Sequence, residues 1–179
     1  MNIFRGENRD AADGRFAIAV SRYNETITSN LLDGAVRTLK AAGVADSAID
    51  VAYAPGAFEL PLVADRLAGT GKYAAVLCLG AVIRGDTSHD QHINRAVSLG
   101  LTEASLRHGL PVLFGVLTCE NYEQALARAG GETAELPKAG LGFVPTAGKK
   151  IVGNKGVECA EAALEMVSLL RKLKADDEG

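Results

Sequence analysis

Ala74-Ala75-Val76-Leu77-Cys78-Leu79 is apolar at every position, which marks a strand covered on both faces rather than one. Outward from it, strands and helices alternate in both directions. Toward the N-terminus, Phe16-Ala17-Ile18-Ala19-Val20 is a second apolar strand. Ile27, Leu31, Ala35 and Leu39 then recur at helical spacing until Gly43. Ile49-Asp50-Val51-Ala52-Tyr53 reads as another strand, closed by Pro55-Gly56 and followed by a short helix from about Glu59 to Leu67. Toward the C-terminus, Ile93, Ala96, Val97, Gly100, Leu101 and Ala104 form one face of a longer helix. That helix stops at His108-Gly109, ahead of Pro111. Val112 to Leu117 is the fourth strand, and Glu123 to Ala129 is helical. The last helix runs from about Val157 to Leu173, with Ala160, Ala163, Leu164, Val167 and Leu170 turned inward.

Such alternation predicts an α/β fold: a three-layer α/β/α sandwich around a mainly parallel four-stranded sheet. Asn2-Ile3-Phe4 is a candidate for an extra edge strand, in this chain or on a neighbour. The chain is read as one domain over residues 1–179. Within it, residues 131–152 carry Pro137, Gly140, Gly142, Pro145 and Gly148 with no period, and read as an insertion loop.

Composition narrows the function classes. Of 179 residues, 19 are basic and 22 acidic, a net charge of -3 with no basic cluster, which argues against a nucleic-acid partner. Cys78, Cys119 and Cys159 form no CxxC pair and are expected to be free thiols in a reducing compartment. The opening MNIFRGENRDAADGR is too charged for a signal peptide, and the longest apolar run, Ala74 to Ile83, is about half a membrane span. A cytoplasmic protein with no membrane partner is the expectation.

In open parallel sheets ligands bind where strands end. Three loops there stand out: Ser21-Arg22-Tyr23-Asn24, Pro55-Gly56-Ala57-Phe58-Glu59-Leu60-Pro61, and Gly80-Ala81-Val82-Ile83-Arg84-Gly85-Asp86-Thr87-Ser88-His89. The third nearly has the spacing of a nucleotide-binding loop, but Asp86 stands where a lysine would neutralise phosphates, so an NTPase is a poor reading. Gly85-Asp86-Thr87 at a helix start still offers N–H groups and a hydroxyl to a single phosphate. On spacing alone, a plain helix cap by Asp86, Thr87 or Ser88 is the simpler reading.

His89 follows in the first turn, and histidine is the natural proton shuttle at neutral pH, although a surface histidine is equally consistent. Asp86, His89 and His92 have i,i+3 spacing but no evident fourth ligand, so no metal is expected. His108 at a helix end suits the helix dipole. Tyr23, Phe58 and Phe114 can stack on a flat ring or cover the core. Glu59 can be a first-turn acid, and Arg128 can grip phosphate or stay solvated.

PGAFELP, GAVIRGDTSH, FGVLTCENYEQALARAGG and GNKG…EAALEMVSLL occur in this order, and together they resemble the lumazine synthases from about Phe16 to Leu170. The resemblance implies a flavodoxin-like sandwich and an enzyme that joins 5-amino-6-ribitylaminouracil to 3,4-dihydroxy-2-butanone 4-phosphate without a cofactor. It implies that Tyr23 stacks on the pyrimidine and that Ala57, Phe58 and Glu59 surround the ribityl chain. Ala81, Val82 and Ile83 would meet the ring, and Phe114 from an adjacent subunit would close over it. Gly85, Asp86, Thr87 and Arg128 would take the phosphate, and His89 would move protons. Glu158 would orient the His89 imidazole, and Lys155 would add positive charge.

The resemblance further implies a homo-oligomer, a pentamer that in some members builds an icosahedral shell, with riboflavin synthase as a candidate partner. Asp90-Gln91-His92 departs from the run usual after the histidine, an aromatic, an acid and another aromatic or aliphatic residue, and the 131–152 stretch is a second departure. Two alternatives stay open: an archaeal-type riboflavin synthase, and a flavin-binding or shell-forming protein without turnover.

Overall fold

Two strands, β1 (Phe16–Ser21) and β3 (Ala75–Ile83), are buried almost throughout, as their unbroken apolar runs require. The flanking strands β2 (Ile49–Ala54) and β4 (Val112–Cys119) are only partly covered, and they close the four-stranded sheet in the order β2-β1-β3-β4. All three pairings are parallel. The computed structural model describes residues 1–130 and 153–177. The 131–152 stretch read as an insertion lies outside these residues.

Side chains alternate across the central strands, so each feeds two cores. Phe16, Ile18, Val20, Leu77 and Leu79 pack with Ile27, Leu31 and Leu39 of α1 (Glu25–Ala41) and with Ala160, Ala163 and Leu164 of α5 (Lys155–Asp177). Ala17, Ala19, Val76 and Cys78 pack with Leu60 and Ala64 of α2 (Leu60–Ala68) and with Val97 and Leu101 of α3 (His89–His108). Helices on both faces make the three-layer, flavodoxin-like sandwich.

Local chemistry sets the helix ends. Pro61 sits in the first turn of α2, where its missing N–H costs no intrahelical bond. Gly109, at φ 61°, ends α3 in the left-handed conformation. His108 in the last turn of α3 places Nε2 2.9 Å from Asp65 Oδ1, tying α3 to α2. A Cβ on Gly156 would run into the carbonyl oxygen of Leu31, so glycine there permits the close approach of α5 to α1.

One sequence expectation needs correcting. Gly80 to Ile83 are not the start of a loop: they continue β3 and pair with Val116 to Cys119 of β4. Gly80 is there because Leu60 Cδ1 and Ser21 Oγ would lie 3.2 and 3.3 Å from a Cβ. In this chain, Asn2-Ile3-Phe4 joins no strand. The segment before β1 instead runs along α5, where Glu7 N donates to Ser168 Oγ (2.9 Å) and Lys172 Nζ donates to the Arg5 carbonyl (3.1 Å).

After β4, α4 (Tyr122–Arg128) leads to a narrow neck. Gly130 N donates to Gly153 O at 3.0 Å, and Ala129 and Asn154 form an antiparallel bridge. Among the described residues, no helix is long and apolar enough to cross a membrane.

Candidate functional site

The connections leaving β1 and β3 run to opposite sides, because the strand order reverses between them. That reversal opens a crevice at the C-terminal edge of the sheet. The loop after β1 is fastened on one side to β2: Arg22 N donates to Ala54 O (2.8 Å) and Tyr23 N to Pro55 O (3.1 Å). On the other side, Asn24 Nδ2 donates to Ala81 O of β3 at 2.9 Å. Asn24 sits at φ 60°, a conformation that asparagine tolerates better than most residues. The loop therefore spans the crevice, and Tyr23 is thrown outward, 71% exposed.

Phe58 is likewise 58% exposed. Neither ring covers the core, so that reading is removed for both. Ala57 is buried, and Glu59 is exposed beside Gly56, where a Cβ would lie 3.1 Å from Oε2. Ala81 and Val82 are buried in β3, with Ile83 half-buried behind them.

Residues 84–88 carry the chain from β3 to α3. Ser88 occupies the cap position with no side-chain capping bond, and Thr87 Oγ1 accepts from His89 N at 3.4 Å. The first N–H groups of α3 are those a helix leaves without intrahelical partners. Gly85 has open space around it, with nothing within 4 Å of a Cβ position. Gly85, Asp86, Thr87, Ser88 and His89 are all exposed. Among the described residues no three His, Cys, Asp or Glu side chains converge as a metal site would require.

A second cluster forms where α4 ends and α5 begins. Arg128 Nη2 lies 2.9 Å from Glu158 Oε1, and Lys155 Nζ lies 3.1 Å from Glu158 Oε2. One carboxylate thus faces two cations and accepts hydrogen bonds from Arg128 and Lys155. At the end of β4, burial pushes the Cys119 thiol up while the Arg128 charge pulls it back. Burial also pushes up the Cys159 thiol, to about 12.

The sequence reading missed the residue that builds this corner. Asn154 Oδ1 accepts from Gly156 N (2.8 Å) and Val157 N (3.3 Å), which caps α5. Its Nδ2 donates to Asn30 O (2.9 Å) on α1 and Ala129 O (3.0 Å) after α4. The asparagine of GNKG was a visible capping residue, but its distant partners were not visible. Asn121 was missed in the same way: its side chain caps α4 by accepting from Gln124 N at 2.9 Å.

Phe114 stands apart. It pairs with Cys78, five residues before Cys119 at the strand end, or roughly 16 Å along β4. With β1 and β3 lying between β2 and β4, this chain does not bring Phe114 to Tyr23 and Phe58. It is 39% exposed on the edge strand.

Against this geometry, the sequence pattern of the 6,7-dimethyl-8-ribityllumazine synthases matches residues 13–171 of the 179. That span takes in all four strands and every candidate site residue. The chain therefore belongs to the 6,7-dimethyl-8-ribityllumazine synthase family, enzymes of the lumazine synthase type that serve riboflavin biosynthesis.

Proposed function

We propose that the chain condenses 5-amino-6-ribitylaminouracil with 3,4-dihydroxy-2-butanone 4-phosphate, giving 6,7-dimethyl-8-ribityllumazine, phosphate and water. The observation that supports this reading is that the loops bearing exposed Tyr23, Phe58 and Glu59 and the exposed 84–88 connection all follow the strand ends, with the Asn24–Ala81 bond joining the β1 loop to β3. Tyr23 and Phe58 present ring faces to the pyrimidine, and the Glu59 carboxylate accepts hydrogen bonds from the ribityl hydroxyls. Ala81, Val82 and Ile83 form the apolar wall, and Gly85-Asp86-Thr87 with Arg128 receives the phosphate.

The chemistry asks for proton movement rather than for a redox step. The 5-amino group attacks the ketone and water leaves, forming an imine. A proton is lost as phosphate departs, and the ribitylamino nitrogen closes the second ring with loss of another water. His89, exposed beside the phosphate loop, is positioned to take and return these protons. Glu158 holds Arg128 and Lys155 in place. The remaining acceleration comes from fixing two substrates against each other.

Phe114, too far from the Tyr23–Phe58 pair of its own chain, supports a site shared between copies. Val51 and Tyr53, exposed on edge strand β2, give a second apolar face for such packing. The oligomer proposed is a pentamer, alone or built into a shell.

The test is product formation by the purified chain. Lumazine from both substrates, and none without the butanone phosphate, is the expected result. Riboflavin made from lumazine alone would mean the archaeal-type dismutation instead. A native mass equal to one chain would overturn the shared site.

A further inference from the structure

By strand alternation, Ala17, Ala19 and Ser21 of β1 share one face of the sheet, and the two alanines lie in the core with Leu60 and Ala64 of α2. Ser21 is as deeply buried, at 1% exposure, yet its Oγ has no hydrogen-bond partner among the described residues. A buried hydroxyl left unpaired costs stability, and alanine would continue the row without that cost. The position of the hydroxyl gives it a use. Ser21 ends β1 opposite Ala54 of β2, immediately before the loop that carries Tyr23. A Cβ on Gly80, the residue before Ala81, would lie 3.3 Å from Ser21 Oγ and 3.5 Å from Ala57 Cβ. Ser21 and Ala57 thus border one methyl-sized space. Ala57 opens the three-residue 3-10 turn Ala57–Glu59, and the first N–H groups of such a turn have no partner within it.

We propose that Ser21 is a positioning residue for the pyrimidine substrate: its hydroxyl accepts a hydrogen bond from the Ala57–Glu59 turn when that turn closes on the bound ring. The proposal rests on the places given to Ala57, Phe58 and Glu59 under the proposed function. Binding then recovers a bond that the free chain forgoes, so part of the pyrimidine's affinity comes from a side chain it does not touch. The butanone phosphate gains nothing from this bond, because none of its proposed contacts lies on the turn.

The experiment compares wild type, Ser21→Ala and Ser21→Cys. It measures the Kd of 5-amino-6-ribitylaminouracil by calorimetry, the KM of each substrate, and the urea midpoint of the free protein at matched concentration. Ser21→Ala is expected to raise the pyrimidine Kd and KM about fivefold, leaving the butanone phosphate KM in place. Its urea midpoint is expected at or above that of wild type, since an unpaired hydroxyl has been removed. Ser21→Cys, which keeps the shape but offers a weaker acceptor, is expected to fall between wild type and Ser21→Ala in pyrimidine affinity.

A lower midpoint in Ser21→Ala would show that the hydroxyl is already bonded in the free chain, and would overturn the proposal whatever the Kd. An unchanged pyrimidine Kd, or equal weakening of both substrates, would overturn it too. A wild type that binds the pyrimidine but makes no lumazine refutes the proposed reaction alone, because the Kd ratios still judge Ser21. A wild type that binds no pyrimidine overturns both.

Discussion

The Arg128 guanidinium lies 2.9 Å from the Glu158 carboxylate, whose other oxygen is 3.1 Å from Lys155 Nζ. A phosphate that reaches Arg128 must share it with that carboxylate. Glu158→Gln keeps an acceptor oxygen but removes the competing charge. Inorganic phosphate is therefore expected to bind about threefold more tightly while turnover falls. Arg128→Ala removes a charge-assisted contact and is expected to raise the butanone phosphate KM about tenfold to a hundredfold. Titration calorimetry with phosphate and steady-state kinetics check both; an unchanged KM in Arg128→Ala would remove Arg128 from the phosphate site.

Asn24 combines a left-handed backbone with a side-chain bond to Ala81 O, and two substitutions separate these roles. Glycine accepts the backbone but loses the bond, whereas alanine loses the bond and strains the backbone by about 1 kcal/mol. The expected order of pyrimidine affinity is wild type, then Asn24→Gly, then Asn24→Ala. Equal affinity in all three would mean that the loop bearing Tyr23 is positioned without this bridge.

What was legible in the sequence followed from local periodicity. β1 and β3 were visible because both faces of each are covered, and the α1 and α5 faces because apolar residues recur at helical spacing. The end of β3 was misplaced because Gly80 looked like punctuation, when it serves a close approach by Leu60 and Ser21. Residue identity marked Tyr23, His89 and Arg128 as candidates. Their partners were out of reach, since the contacts Asn24–Ala81, Arg84–Glu120 and Asn154–Asn30 span 57, 36 and 124 residues. Pattern reading sees neighbours along the chain, and these contacts exist only once the sheet has assembled.

Asn154 is buried and serves four backbone partners. Asn154→Ala removes a helix cap, takes a donor from the Ala129 carbonyl and the bond to α1 at Asn30, and leaves a void beside Gly34, whose missing Cβ makes room for the amide. A destabilisation of about 3 kcal/mol is expected. Urea unfolding at matched protein concentration measures it, because an oligomer's midpoint depends on concentration. A midpoint within error of wild type would contradict the assignment.

The Cys159 thiol is raised from 9.0 to about 12 by burial. A group whose folded pKa is raised gives a stability contribution that is complete below its unfolded value and is lost as pH climbs through the folded one. Stability should therefore decline between about pH 9 and pH 12, and Cys159→Ala should flatten that decline. Thiolate absorbance in the native protein should show Cys159 silent until the upper end of this range. Early ionisation, or an alkaline slope unchanged by the substitution, would contradict the expectation.

The Gly130–Gly153 hydrogen bond and the Ala129–Asn154 bridge bring the departing and returning chain to one point. Ring closure there depends only weakly on what lies between, about 0.6 kcal/mol for each doubling of length. The neck is thus a grafting point: a peptide or a whole folded module spliced between these glycines would begin and end on this hydrogen-bonded pair. In a symmetric assembly of this chain, every copy would carry its graft at an equivalent position, making the fold a scaffold for ordered multivalent display.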